Sequence, residues 1–180
     1  MREILEETEI PMKTIRPTHV NRREELLVEA FDYAKAGGKI DLTCGIQDQL
    51  TPGKCIKRAL EEKVPSENIT ISSDGYGSWS KYDEAGNLVK IGVSSVSSLH
   101  KEFKYMVNEL GFSVEEALIY LTSNVAKGLE VYPRKGCVAE GSDADLLLLD
   151  ENLDIDTVIA NGKVMIEDKE ILVYGSYEQI

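Results

Sequence analysis

The chain has 180 residues, 42% of them hydrophobic, and a formal net charge of −12. That is enough apolar material for one domain with a real core, or for one domain with a small appendage. The acidic balance opposes binding to nucleic acid or to an anionic membrane, because a phosphate surface needs a basic face. It leaves room for an anionic small molecule gripped by a local arginine. No apolar run is long enough to span a membrane, and the opening "MREILEETEIPMK" is acidic and amphipathic, unlike a secretory signal. Cys44, Cys55 and Cys137 are odd in number and lack Cys-x-x-Cys spacing. That argues against a disulfide framework or a cysteine zinc site, and fits a reducing cytoplasm.

In chain order, "KTIRPTHV" reads as a short buried strand, and "RREELLVEAFDYAKAGG" as an amphipathic helix closed by glycine. "KIDLTCG" is a second strand, and "TPGKCIKRALEEKVP" a second helix that opens on Thr-Pro and stops at Pro65. "NITISSDG" is a third strand. A polar loop leads to the helix "SSVSSLHKEFKYMVNELG", with serines at its start and Gly111 at its end. "SVEEALIYLTSNVAKGLEV" is a fourth helix, with a capping box at Ser113 and Glu116. Strands alternating with helices at this spacing indicate a right-handed parallel β/α arrangement. Near residue 131 the pattern turns to short strands with turn signals between them, of which Asn161-Gly162 is the strongest. The expected division is a β/α region over residues 1–130 and a small all-β segment over 131–180.

Active sites of parallel β/α folds gather at the carboxyl ends of the strands. Two polar residues close such ends: His19 in "IRPTH" and Asp74 in "ITISSD". The stretch "SSDGYGS" admits two readings, an ordinary Asp-Gly turn or an acid/base carboxylate with its substrate lying against the glycines. An imidazole and a carboxylate on one rim suit a zinc-class metal, but such a site needs at least three protein ligands. The only other histidine, His100, falls inside a helix, where a packed or solvated role is expected.

The segments "PTHVNR", "SSDGYGS", "GVSSVSSL", "LTSNVAKGL", "KGCVAEGSDADLLLLD" and "VIANGKVMIEDKEI" together resemble the C-terminal half of bacterial isoaspartyl (β-aspartyl) dipeptidases, of the amidohydrolase superfamily. The closing "G-x-DADL" and "NGK-x-M" elements are superfamily-wide, whereas "PTHVNR" and "SSDG-x-GS" are particular to these dipeptidases. The resemblance implies an α/β fold: the last three β/α units of a TIM-type (β/α)8 barrel, plus a C-terminal β segment of a small β-sandwich. It implies a binuclear zinc centre with His19 and Asp74 as metal ligands, and Asp74 as general acid/base. It also implies Arg22 as the grip on a carboxylate of a small dipeptide and Ser78 as a substrate hydrogen-bonder. A guanidinium fork suits a carboxylate-bearing substrate. Arg23 is expected to pair with neighbouring glutamates instead.

The family's paired "HxH" histidines, its metal-bridging lysine and a further histidine do not occur in this chain. The expected object is therefore an incomplete barrel, inactive alone, with bare apolar surface that needs a second copy or a complementing N-terminal half. Two other functions compete with zinc-dependent isoaspartyl dipeptide hydrolysis. One is a catalytically dead remnant serving as an oligomerising or binding module. The other is a related amidohydrolase acting on a different amide, such as a dihydroorotase or an N-acetyl-sugar deacetylase.

Overall fold

The computed structural model describes residues 2–45 and 50–175. After a short helix α1 (Arg2–Glu7) the chain makes a single 3-10 turn at Met12–Thr14 and runs extended to His19. The expected first strand is not a regular strand: within "KTIRPTHV" the ladder is reduced to one bond, from the Asp41 amide to the Pro17 carbonyl at 2.9 Å. Pro17 has no amide of its own to donate, which is why pairing stays partial.

Helix α2 (Glu24–Lys35) carries Leu27, Ala30, Phe31 and Ala34 at helical spacing, and all four are fully buried. Full burial of a side chain such as Phe31 stabilises by roughly 1.5–3 kcal/mol. The Tyr33 hydroxyl lies 3.1 Å from the Met12 carbonyl and 3.0 Å from that of Ile15, so the helix anchors the extended segment. The partner that binds Glu24 is Arg58, from the next helix.

Strand β1 (Ile40–Thr43) pairs in parallel with β2 (Ile69–Ser72), in register from Ile40↔Ile69 to Thr43↔Ser72. Between them runs α3 (Pro52–Glu61), whose N-cap Thr51 accepts from the Lys54 amide at 3.5 Å, with Pro52 at the first helical position. The helix stops at Glu61, ahead of Pro65, where Lys63 turns left-handed at φ 60°. Alternate strand residues face opposite ways. Ile40, Leu42, Ile69 and Ile71 join the helical core, while Asp41, Thr70 and Ser72 bond to one another on the other face.

The segment after β2 is not the expected polar loop. It is an antiparallel hairpin, β3 (Ser78–Tyr82) with β4 (Leu88–Val93), carrying a register shift at Lys81/Tyr82. Next comes α4 (Ser98–Asn108), where His100 Nε2 lies 2.7 Å from the Leu153 carbonyl and the ring stacks on Phe103, a packed histidine as expected. The expected fourth helix is broken into α5 (Val114–Leu118) and α6 (Ser123–Gly128). The Ser113/Glu116 capping box is present in both directions, at 2.8 and 3.2 Å. Asn124 of α6 donates to the Ile69 carbonyl at 2.9 Å and so ties this helix to β2.

A four-stranded antiparallel sheet closes the described chain: β5 (Leu146–Leu149), β6 (Ile155–Ala160), β7 (Lys163–Glu167) and β8 (Glu170–Ile171), in that spatial order. Asn161 and Gly162 both take positive φ, 49° and 76°, as a two-residue hairpin turn demands. The β5–β6 turn is fixed by Asp150, which accepts from the Asn152 and Asp154 amides and from Lys169. These charge-assisted bonds, Lys169 first, bring its carboxyl down to about 2. Leu147 and Leu148 stand more than half exposed on this sheet. The parallel sheet among the described residues has two regular strands plus one extended segment, and no closed barrel.

Candidate active site

His19 stands where the extended segment ends. Its backbone is left-handed (φ 56°, ψ 26°), and its carbonyl accepts the Arg22 amide at 3.0 Å, which starts the 3-10 turn Val20–Arg22. A non-glycine residue held there costs about 1–2 kcal/mol. His19 Nδ1 is also buried with no hydrogen-bond partner. Such an orphaned polar atom costs roughly 1–3 kcal/mol, and strain of this kind concentrates where a ligand is to be received. Arg22 is exposed at the end of the same turn.

What holds that turn is Asn21, a residue the sequence reading passed over. Its side chain is fully buried and spans three backbone groups. The amide nitrogen donates to the Thr43 carbonyl at 2.9 Å and the Leu50 carbonyl at 2.8 Å, while its oxygen accepts the Thr43 amide at 2.9 Å. The turn bearing His19 and Arg22 is thereby fixed to the end of β1.

Asp74 lies two residues beyond β2, also left-handed at φ 50°, and Tyr76 follows at φ 64°. The Asp74 carbonyl accepts the Gly77 amide at 2.8 Å. A Cβ at Gly77 would lie 2.6 Å from Asp74 Oδ1, and one at Gly75 would lie 2.5 Å from Val96 Cγ1. The glycines therefore make room for the chain itself: the Asp74 carboxylate rests on the bare Cα of Gly77. The loop is also stitched to the far side of the hairpin, with Tyr76 donating to the Ser94 carbonyl and Ser94 donating to that of Gly77, both at 2.9 Å. Ser78 opens β3 opposite Val93 and is exposed.

The segments bearing His19 and Asp74 are joined underneath by Asp41. Its Oδ2 accepts from the Thr18 hydroxyl at 2.8 Å and the Ser72 hydroxyl at 2.5 Å, and its Oδ1 from Thr70 at 2.8 Å. The Cys44 amide adds a bond to the Ser72 carbonyl at 2.9 Å. His19 and Asp74 thus stand past the carboxyl ends of segments that flank β1, held in relative register by one buried carboxylate. Asp41, an acid inside an otherwise apolar strand, was the signal in the sequence that could have exposed this arrangement.

The orphaned His19 nitrogen and the Asp74 carboxylate are donors of the kind zinc binds. Among the described residues, however, no group of three or more histidine, cysteine, aspartate or glutamate side chains is placed to hold a metal. These residues do not make a complete zinc site. Nor do the cysteines help, since burial pushes the thiols of Cys44 and Cys55 up to about 12 and keeps them neutral. Below that pH an alkylating reagent is expected to modify Cys137, which is partly exposed, well ahead of Cys44 and Cys55. Mass mapping of alkylated peptides from the folded chain checks this, and early modification of Cys44 would contradict the packing described.

The chain belongs to the amidohydrolase family, which it matches over residues 34–165. Within that family it is similar to solved β-aspartyl dipeptidases of Fervidobacterium islandicum AW-1. One, in complex with β-Asp-Leu, is 36% identical with a TM-score of 0.86, over 97% of this chain and 46% of that one. A second is 32% identical with a TM-score of 0.79, over 97% of this chain and 44% of that one. The chain therefore spans about half the length of these structures. The zinc-complexed atrazine chlorohydrolase TrzN of Arthrobacter aurescens TC1 shares the fold at 16% identity and a TM-score of 0.52, over 91% of this chain and 38% of that one. No helix of the described residues is long and apolar enough to cross a membrane.

Proposed function

We propose that this chain supplies the proton-handling and carboxylate-gripping part of an enzyme that hydrolyses β-aspartyl dipeptides. Two observations carry the reading: His19 has an orphaned, buried nitrogen and the Asp74 carboxylate is seated on Gly77, each just past a segment that Asp41 ties to the other. The similarity to β-aspartyl dipeptidases supports the substrate class. Asp74 takes a proton from the attacking water at its carboxylate and passes it to the departing amine nitrogen. The Arg22 guanidinium holds a carboxylate of the dipeptide, and the Ser78 hydroxyl bonds its backbone. His19 and Asp74 contribute two donors to zinc, with the remaining ligands coming from outside the described residues. When bound, the metal supplies a Lewis acid for the amide carbonyl and lowers the pKa of water.

In this reading residues 1–130 are part of a β/α barrel, residues 131–180 are part of a composite sandwich, and the catalytic unit is completed by a second polypeptide segment. Purified chain with zinc is expected to release no leucine from β-Asp-Leu. Addition of a polypeptide corresponding to the other half of a β-aspartyl dipeptidase is expected to restore both zinc retention and leucine release. Failure of the complemented protein to retain zinc or to cleave β-Asp-Leu sinks the proposal. That outcome would favour the competing reading of a catalytically inert assembly module.

A further inference from the structure

Tyr76 sits between Gly75 and Gly77, two residues after Asp74 and two before Ser78. Its backbone is left-handed at φ 64°, a conformation that glycine takes freely and asparagine tolerates. An aromatic residue is strained there, so the turn itself gives no reason for a tyrosine. Packing gives none either. The residue is 82% exposed, and among the described residues its ring and hydroxyl make no hydrogen bond, ion pair or ring contact. The backbone beneath is nonetheless fixed, with the Tyr76 amide donating to the Ser94 carbonyl at 2.9 Å and the Gly77 amide to that of Asp74 at 2.8 Å. A strained residue with an unpartnered ring on a fixed backbone is expected where a side chain serves a ligand rather than the fold.

A second apolar side chain borders the same acid. Val96 packs against the bare Cα of Gly75, where a Cβ would lie 2.5 Å from its Cγ1, and stays 53% exposed. In the proposed hydrolysis Asp74 returns its proton to the departing amine nitrogen, which belongs to the second residue of the dipeptide. The aspartyl half of such a substrate is constant, and the side chain of the second residue is what varies. That side chain stands on the carbon bonded to the departing nitrogen, on the side of the substrate that faces the Asp74 loop.

We propose that Tyr76, with Val96 beside the same loop, is a specificity-determining residue that receives the side chain of the released amino acid. It selects apolar side chains over small or acidic ones. The ring removes an apolar side chain from water, which favours leucine over glycine. Its electron-rich face, on a chain of net charge −12, opposes an aspartyl or glutamyl side chain. The inference rests on the proposed cleavage of β-aspartyl dipeptides.

The test compares β-Asp-Leu with β-Asp-Gly as substrates of the complemented enzyme. Tyr76→Asn keeps the left-handed turn and is expected to lower the ratio of kcat/KM for β-Asp-Leu to that for β-Asp-Gly about tenfold, the low end of what an apolar contact selects. Tyr76→Phe retains the ring and is expected to retain the ratio. The urea midpoint of the Tyr76→Asn chain is expected at or above wild type, because strain is relieved, so lost selectivity is not lost folding. Nitration by tetranitromethane, mapped by peptide mass, supplies a readout independent of turnover. Tyr76 is expected to react ahead of the less exposed Tyr82, Tyr132 and Tyr174, and β-Asp-Leu is expected to protect it. An enzyme that cleaves both dipeptides with a ratio unmoved by Tyr76→Asn overturns this inference and leaves the proposed function standing. Cleavage of neither dipeptide overturns the proposed function; protection of Tyr76 by β-Asp-Leu in that protein still supports a ring on the ligand, and no protection overturns the inference as well. A ring already shielded in the complemented protein without dipeptide also overturns it, since Tyr76 then serves the joint between the two polypeptides.

Discussion

Asp74→Asn is expected to abolish most β-Asp-Leu hydrolysis by the complemented enzyme, lowering kcat on the order of 10²- to 10⁴-fold, the range typical of a lost general acid/base. The amide is nearly the same shape as the carboxylate, so it still fits against Gly77 and keeps the left-handed backbone. It cannot accept and return a proton. The loss should therefore fall on kcat, with KM for the dipeptide changing far less. A variant that retained more than about a tenth of wild-type kcat would remove Asp74 from the chemistry, well below the expected effect. Zinc content must be measured alongside, because Asp74 is also proposed as a ligand. A variant inactive yet fully zinc-loaded isolates the proton-transfer role.

The second large effect is expected on stability. Asn21→Ala removes a side chain that satisfies the Thr43 amide, the Thr43 carbonyl and the Leu50 carbonyl. Each buried backbone group left unpaired costs roughly 1–3 kcal/mol, with some relief from water entering near Leu50. A loss of roughly 2–5 kcal/mol is expected, read as a shift in the urea midpoint at unchanged m-value. Asn21→Asp is no rescue, because it sets a carboxylate against two carbonyl oxygens. A loss under about 0.5 kcal/mol for Asn21→Ala, the range of an ordinary surface change, would show that the anchor is dispensable.

The sequence was most legible where a local rule and the tertiary environment agree. The amphipathic helix over Glu24–Lys35, the Thr51-Pro52 helix start, the Ser113/Glu116 box and the Asn161-Gly162 turn all appear as read. It was least legible where long-range bonding decides. Whether "KTIRPTHV" forms a ladder depends on which amides survive beside Pro17, and only the bond from Asp41 does. The hairpin escaped because its strands mix serine and lysine with exposed valine and isoleucine, so no buried face shows as clean alternation. The long fourth helix broke between Leu118 and Ser123, although its spacing alone suggested continuity. At the site, strand-end position drew attention to His19 and Asp74. The residues that hold them, Asn21, Asp41 and Gly77, act through contacts between distant segments or through an absent Cβ, and a pattern of residue types does not show those.

The two bonds between Ser94 and the Tyr76–Gly77 backbone make the hairpin and the Asp74 loop a single mechanical piece. A displacement of the hairpin therefore carries the Tyr76–Gly77 backbone with it, so the seat of the Asp74 carboxylate on Gly77 is set partly by residues beyond the hairpin and not by β2 alone. One pair of peptide hydrogen bonds thus makes the geometry of the Asp74 loop depend on a ribbon whose strands lie almost wholly in solvent.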